Sequence, residues 1–461
     1  MFGITDRVLV FGVGRSGMAA AEVLLKRGIA VVAYDDGPPA GLERQRSRLA
    51  QLHVPLIGRD SLTGAVPSIN AAVLSPGIPQ DNAAIALLRR SGVPLYSEIE
   101  LAYRFSPAPM IAVSGSKGKS TTTQLIAHLI ANAGLSVGVG GNIGRPLVLE
   151  AVAQPPPRWI VAEVSSFQLE HIERFAPRIS VLLNISADHL DRYPSMDDYA
   201  QAKYRIFENG RQHSDFVGNA DDPRLCRLRQ TAPDRLPVRS WWFSLDPSST
   251  DADIVAGGGV IRWRHDGQWA KLMDVTALPL PGAHNVANAM AAALAARAAS
   301  VPPEAIRTGL KTFQPLAHRL QTVARVDGVT WIDDSKATNP DAVVKALEAC
   351  TQPAVLIAGG KAKRTDFADM GQAISRLTTA VVLIGESAAG IAAHIAGPAV
   401  HRAGSMREAV AIAAKTARPG QCVLLSPGCA SFDMFGSAEQ RGDVFARLAR
   451  ELEQRKSPAV P

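Results

Sequence analysis

The chain has 461 residues, 47% hydrophobic and 20% charged, which suits a soluble globular protein and is too long for one ordinary core. No apolar run reaches the roughly 20 residues that cross a bilayer, and Arg7-Val8-Leu9-Val10-Phe11 enters a glycine turn as a folded strand would, which points to the cytoplasm and against membrane insertion. The formal charge of +7 favours anionic ligands, but no basic tail or lysine–aromatic stripe carries it, so no nucleic-acid partner is expected.

Three segments repeat one pattern in chain order: a short apolar run, a turn, then an amphipathic stretch. The first has strands expected at Val8–Phe11, Ala30–Tyr34 and Ala71–Leu74, and Pro94-Leu95-Tyr96 closes it. The second opens with the buried strand Pro109–Val113 and continues through Trp159–Ala162 and Val181–Leu183. A hairpin is expected where Ala256-Gly257-Gly258-Gly259-Val260 meets Ile261-Arg262-Trp263. An alanine-rich helix from Val286 to Ala299 then leads to a boundary near Pro315. The third has strands expected at Thr330–Ile332, Val355–Ala358, Ala380–Ile384 and Val423–Leu425, and a final helix with Val444, Phe445, Leu448 and Leu452 on one face. Strands alternating with helices imply parallel α/β sheets throughout. The cysteines Cys226, Cys350, Cys422 and Cys429 form no CxxC pair, which argues against a zinc site or disulfide framework and for reduced, mostly buried thiols.

Gly12-Val13-Gly14-Arg15-Ser16-Gly17 follows a strand and opens a helix, and Asp35 ends the next strand. This is the form of a dinucleotide fingerprint, in which backbone amides approach a diphosphate and an acid takes a ribose hydroxyl. The bland alternative is a tight turn that packs a helix on a sheet. The loop Gly115-Ser116-Lys117-Gly118-Lys119-Ser120-Thr121 is more specific, although its glycine spacing is shorter than the usual phosphate loop. Backbone N–H groups at a helix start, a lysine for the β/γ-phosphates and a hydroxyl for Mg²⁺ together predict ATP binding. Glu163 and His189 each follow a strand end, where ligands of an open parallel sheet collect, and both are candidates to hold Mg²⁺ beside ATP. Lys203 reads from its neighbours as a helix-surface lysine. In the third segment Asp333–Asn339, Gly359–Lys363 and Ser426–Ser431 each follow a strand, and their lysines suit a carboxylate or a phosphoryl group in transfer.

The set Gly115–Thr121, Glu163–Leu169, Asp188–Tyr193, His284-Asn285 with Asn288, His318-Arg319 and Asp334–Asn339 resembles the Mur ligase family, in order and over essentially the whole chain. The resemblance implies three α/β domains with mostly parallel sheets: a Rossmann-like one over 1–97 for a UDP-substrate, a central P-loop-type ATPase domain over 98–315, and a Rossmann-like amino-acid domain over 316–461. By the same resemblance Gly14, Arg15, Ser16, Asp35, Gly77 and Asn142 contact the UDP-substrate. Gly115, Ser116, Lys117, Gly118, Lys119, Ser120, Thr121, Asn288, Arg319 and Asp334 contact ATP, and Ser120, Glu163, His189 and Lys203 hold Mg²⁺. Lys203 matches a lysine that the family carbamylates, which converts a cation into an anion. Lys336, Thr338, Lys363 and Ser431 form the glutamate site, and Lys119, His189, Lys203 and Lys336 are the catalytic candidates.

The activity so implied is ATP-driven addition of D-glutamate to UDP-N-acetylmuramoyl-L-alanine through an acyl phosphate, carried out by a monomer, with Mg²⁺ as cofactor. Ala438 stands where the family usually has an aromatic residue, so addition of L-glutamate by the same chemistry remains an alternative. An NAD-dependent oxidoreductase built on Gly12–Gly17 is the rival from another class. It leaves Gly115–Thr121 and Asp334–Lys336 without a role. Closure of three ligand-bearing domains further implies hinges near residues 97 and 316.

Overall fold

The computed structural model describes residues 6–456 except 38–41, 77, 80, 188–191, 211–212, 266, 315–316, 351 and 363–365. Three sheets follow one another along the chain. The first is parallel, with β1 (Arg7–Phe11), β2 (Ala30–Tyr34), β3 (Leu56–Ile57), β4 (Ala71–Leu74) and β5 (Leu95–Ser97) in the order β3-β2-β1-β4-β5. The second contains β6 (Met110–Ser114), β7 (Val137–Gly141), β8 (Trp159–Glu163), β9 (Ile179–Leu182), β10 (Asp215–Asn219), β11 (Arg239–Ser244), β12 (Ile254–Gly257), β13 (Val260–His265) and β14 (Gln268–Asp274). Their order is β14-β13-β12-β11-β10-β9-β6-β8-β7. The third orders β15 (Gln321–Val326), β16 (Val329–Asp333), β17 (Ala354–Gly359), β18 (Thr378–Ile384), β19 (Ala399–Ala403) and β20 (Cys422–Leu425) as β15-β16-β20-β17-β18-β19.

The hairpin expected at 256–263 is present as β12–β13, and the expectation of parallel strands elsewhere is corrected at β13–β14 and β15–β16. The pairs β12–β13, β13–β14 and β15–β16 are antiparallel. The reason is chain length: Gly258-Gly259 and Asp327-Gly328 turn with positive φ at both residues, and two residues leave no room for a crossover helix. The central parallel strands are apolar along their length because helices cover both faces. Every residue of β6, β8 and β17 is buried. The helix Ala283–Ala298 is buried almost all round, which explains its alanine content, and it packs on the helix Lys119–Asn132. Among the described residues no helix is long and apolar enough to cross a membrane.

Chain compactness separates Met1–Pro279 with Ala283–Phe313 from Leu280–Gly282 with Gln314–Pro461. Within the larger unit, one continuous core joins the first sheet to the second. It runs from Val8 and Val10 through Leu101 and Phe105 to Leu147, Ile160 and Phe175. The segment after Ser97, where a hinge was expected, is the buried helix Glu98–Phe105, whose apolar face belongs to this core. The second expected hinge, at 316, lies outside the described residues.

Two carboxylates fasten that helix. Glu98 accepts the N–H of Val148 at 2.7 Å at the start of the helix Leu147–Ala151, and burial pushes its carboxyl up to about 7. Glu100 is fully buried. It accepts the N–H groups of Glu173, Arg174 and Phe175 at 2.8–3.1 Å and pairs with Arg104 at 2.7 Å. One carboxylate therefore satisfies three backbone donors and one guanidinium. Removing it leaves three buried backbone donors without their partner and Arg104 with only the exposed Glu173, so Glu100→Ala is expected to cost about 3–5 kcal/mol. Urea denaturation of the two proteins measures the difference.

Candidate active site

The strand β6 carries the chain into Gly115–Gly118, and the helix Lys119–Asn132 starts immediately after. Gly115 has φ +149° and Gly118 has φ +86°, backbone that a side chain would strain. A Cβ on Gly118 would also lie 2.3 Å from Asn288 Oδ1, so the loop and the helix Ala283–Ala298 meet with no space for one. Asn184 pins the loop from the end of β9. Its side chain accepts the Lys117 N–H at 2.8 Å and donates to the Lys117 carbonyl at 3.0 Å, and its own carbonyl accepts the Ser116 N–H at 2.9 Å. Ser116 Oγ donates to the Ser186 carbonyl and lies 3.1 Å from the Tyr199 hydroxyl.

Lys119 folds back over this loop, its ammonium 2.8 and 2.9 Å from the carbonyls of Gly115 and Ser116. Lys203 is buried, donates to the Gly115 carbonyl at 2.9 Å and lies over the Tyr199 ring at 4.6 Å. Two cations thus converge on one carbonyl at the start of a helix, where the N–H dipoles add further positive potential. Read from its neighbours alone, Lys203 looked like a surface residue. The helix Met196–Tyr204 instead turns that face inward, with Tyr199, Ala200, Ala202 and Lys203 buried.

Glu163 ends β8, the neighbour of β6, and pairs in register with Val113. It is buried, and its Oε1 accepts from Asn142 Nδ2 at 2.9 Å while Oε2 has no hydrogen-bond partner. An orphaned carboxylate oxygen beside a phosphate loop suits a hard divalent cation. Ser120 lies in the first turn of the helix Lys119–Asn132. His189 and most of the motif 188–193 lie outside the described residues, as do Gly77 and Lys363. Arg192, at the edge of that motif, donates to the Ile78 carbonyl at 3.2 Å and pairs with Glu170 at 2.8 Å, which ties the second sheet to the loop after β4.

In the first sheet, the turn 12–17 is tightly packed. Gly12 has φ +88°, and a Cβ on Gly17 would sit 1.9 Å from the Gly12 carbonyl oxygen. Asp35 accepts the N–H groups of Val13 and Gly37, both at 2.9 Å, so its carboxylate holds the turn in place. Gly14 caps the helix Arg15–Lys26, and Arg15 and Gly14 are exposed.

The smaller unit assembles its own surface at the carboxyl ends of its strands. The three turns that sequence grouped there are joined by backbone hydrogen bonds. Gly428 N–H donates to Ala337, Gly359 N–H to Pro427, and Lys361 N–H to Ala430, at 2.8–2.9 Å. Arg441 is buried and donates to the Ser335 carbonyl at 2.9 Å and the Cys429 carbonyl at 3.1 Å, a clamp that no motif announced. Lys336 pairs with Glu439, which holds the Glu439 carboxyl down at about 2. Ser431 is buried, Thr338 exposed, and Ala438 is tied through its carbonyl to Ser335 Oγ at 2.7 Å. Asp334 accepts from Ser426 Oγ at 2.9 Å, and Arg319 is exposed nearby on the same unit.

Comparison with known proteins places the chain among ligases of one family. Residues 113–296 match the Mur ligase middle domain and residues 318–429 the Mur ligase glutamate ligase domain. The UDP-N-acetylmuramoylalanine–D-glutamate ligase of Pelotomaculum thermopropionicum is 41% identical over 97% of this chain and 98% of its own. That of Myxococcus xanthus is also 41% identical, over 97% and 98%. Among solved structures, the MurF ligase of Thermotoga maritima in complex with ADP has a TM-score of 0.58 at 16% identity, covering 98% of this chain and 99% of that one. The UDP-N-acetylmuramate–alanine ligase of the same organism has a TM-score of 0.57 at 18% identity, covering 97% and 99%.

The Asp334 carboxyl is pushed up to about 7 by burial, against the opposing hydrogen bond from Ser426. Its folded value lies above the unfolded one, near 4. The folded state therefore keeps a proton that the unfolded chain has lost, and stability falls as pH rises from about 4 to about 7. Asp334→Asn is expected to remove that part of the decline. Denaturation midpoints of both proteins at pH 5 and pH 8, on either side of the folded value, check it.

Proposed function

This chain belongs to the Mur ligase family, and on that premise we propose that it uses ATP and Mg²⁺ to join D-glutamate to UDP-N-acetylmuramoyl-L-alanine, a step of peptidoglycan precursor synthesis. The observation that carries the choice of substrate is full-length identity of about 40% to ligases named for D-glutamate. A nicotinamide enzyme would require none of the loop 115–121, the orphaned Glu163 oxygen or the Lys203 arrangement.

In the proposed reaction the carboxylate of the UDP-substrate attacks the γ-phosphate of ATP, giving an acyl phosphate and ADP. The amine of glutamate then attacks the acyl carbon, and inorganic phosphate leaves as the amide forms. The N-terminus of the helix Lys119–Asn132 and the Lys119 ammonium neutralise phosphate charge, and positioning supplies most of the acceleration. Lys119 would exchange its loop carbonyls for phosphate oxygens. Ser120, Glu163, His189 and a carbamylated Lys203 would hold Mg²⁺, which when bound supplies charge neutralisation beside the phosphates. The partly exposed Lys336 would meet a carboxylate of glutamate, together with Thr338, Lys363 and Ser431. Asn288, Arg319 and Asp334 would contact ATP, and Gly14, Arg15, Ser16, Asp35, Gly77 and Asn142 the UDP-substrate. The three ligand-binding regions correspond to residues 1–97, 98–315 and 316–461, and the enzyme acts as a monomer in the cytoplasm.

Phosphate release with UDP-N-acetylmuramoyl-L-alanine and ATP is expected with D-glutamate and not with L-glutamate, meso-diaminopimelate or lysine. Release with L-glutamate alone would transfer the assignment to the L-glutamate type. Lys119→Ala should lose ADP formation by about 10³-fold or more, as expected when a donor to developing phosphate charge is removed. Wild-type ADP release from that variant would sink the role of the loop. Lys203→Ala should be inactive and recover in part with a short-chain carboxylic acid, because the added carboxylate replaces the carbamate. Lack of rescue in a folded variant counts against carbamylation.

A further inference from the structure

The first two sheets of the larger unit meet along residues 170–175. Ser97 N–H at the end of β5 donates to the His171 carbonyl at 2.8 Å, and the Tyr96 hydroxyl donates to Glu173 at 2.7 Å. Glu170 opens this seam, directly after the short helix Ser166–Leu169 that follows β8, and its backbone is held from two directions. Its N–H donates to the Ser166 carbonyl at 3.1 Å, in a helix whose start is set by the Ser165–Gln168 capping box. Arg205 donates to the Glu170 carbonyl at 2.6 Å and to the Ile172 carbonyl at 2.8 Å.

The Glu170 carboxylate so held bridges two successive residues. Oε2 pairs with the Arg192 guanidinium at 2.8 Å, and Oε1 accepts from the Tyr193 hydroxyl at 2.5 Å. The ion pair is mostly out of water, its side chains 15% and 14% exposed, where charge-assisted bonds are strong. Burial and the bond to Glu170 push the Tyr193 phenol up, so it stays a donor. Each partner leads to a different part of the site. Arg192 also donates to the Ile78 carbonyl at 3.2 Å, in the loop after β4, and lies over the Phe167 ring at 3.9 Å. The Tyr193 ring packs on Tyr199 with centroids 5.3 Å apart, and the Tyr199 hydroxyl is 3.1 Å from Ser116 Oγ in the phosphate loop.

On the ligase reading above, which puts the UDP-substrate on the first sheet and ATP on the loop 115–121, we propose that Glu170 is a positioning residue for phosphoryl transfer. Through Arg192 and Tyr193 it holds the loop at Ile78 in register with the phosphate loop at Ser116. The two oxygens of one carboxylate are a fixed distance apart, so neither partner shifts without re-aiming the other. A misplacement of about 1 Å lowers a rate by roughly 10²-fold, so a brace shared by both ligand regions acts on kcat. Glutamine fits the same place. Its amide oxygen accepts from Arg192 and its amide N–H donates to the Tyr193 hydroxyl oxygen, which keeps both contacts and loses only the charge.

The full-length protein is compared with Glu170→Ala, Glu170→Gln and Tyr193→Phe by steady-state kinetics and by hydrogen exchange without ligands. Glu170→Ala should lower kcat about ten-fold and raise KM for the UDP-substrate about ten-fold. Its affinity for a non-hydrolysable ATP analogue should stay within about three-fold, because Asn184 still braces the loop. Glu170→Gln should recover kcat to within about three-fold of wild type. Tyr193→Phe keeps the ring and the Arg192 arm, so it should lower kcat and leave that KM unchanged. Peptides containing Ile78 and Lys117 should exchange at least about three-fold faster in Glu170→Ala, whereas the helix Glu98–Phe105 should not. Kinetic constants of Glu170→Ala within about two-fold of wild type, or a folded glutamine variant no better than alanine, would overturn the proposal. Exchange that rises equally in the helix Glu98–Phe105 would also overturn it, since Glu170 would then only stabilise the seam. A wild type that releases no phosphate with D-glutamate would overturn the ligase reading instead, and the ligand-free exchange at Ile78 and Lys117 would still decide the brace.

Discussion

The larger unit depends on one backbone turn, the loop 115–118, and on the side chain that holds it. Its positive-φ glycines set the turn directly in front of the helix Lys119–Asn132, where the N-terminal dipole favours a phosphate. Asn184 braces it by satisfying both the N–H and the carbonyl of Lys117. Everything else at this end of the sheet refers to that turn. Lys119 and Lys203 both donate to Gly115, Asn288 closes on Gly118, and Glu163 stands on the adjacent strand.

The arrangement explains how positive and negative groups share a small buried space. A lysine as deeply buried as Lys203 is costly unless oriented dipoles and an aromatic face compensate it, and the Gly115 carbonyl and Tyr199 ring supply both. Glu163 keeps one carboxylate oxygen satisfied by Asn142 and the other orphaned. In an ordinary core such an oxygen is a defect. At the carboxyl end of a strand beside a phosphate loop it is the feature that a divalent cation completes.

The smaller unit solves a different problem, since three separate turns must act as one surface. Backbone hydrogen bonds between them and the buried guanidinium of Arg441 do this work, so Lys336 and Ser431 sit on a braced platform. Glu100 plays the equivalent part between the first two sheets. It converts what reads as a linker after Ser97 into a buried helix with its own ion pair and three backbone partners.

Sequence by itself determined the parallel strands, because a run of apolar residues before a glycine turn and a helix has one economical arrangement. It also determined the phosphate loop, whose residue types are chemically restricted, and the order of motifs that marks the family. Tertiary structure alone decided what depended on residues distant in the chain. The burial of Lys203, the brace of Asn184, the Asp35 carboxylate held by Val13 and Gly37 and the Arg441 clamp have no local signature. The antiparallel turn at Asp327-Gly328 was not read from the sequence, where the alternation of strands and helices pointed to parallel pairing. The physical reason is the same in each case: local propensity acts over a few residues, whereas burial and hydrogen-bond partnership are set by whichever strand or helix the fold brings alongside.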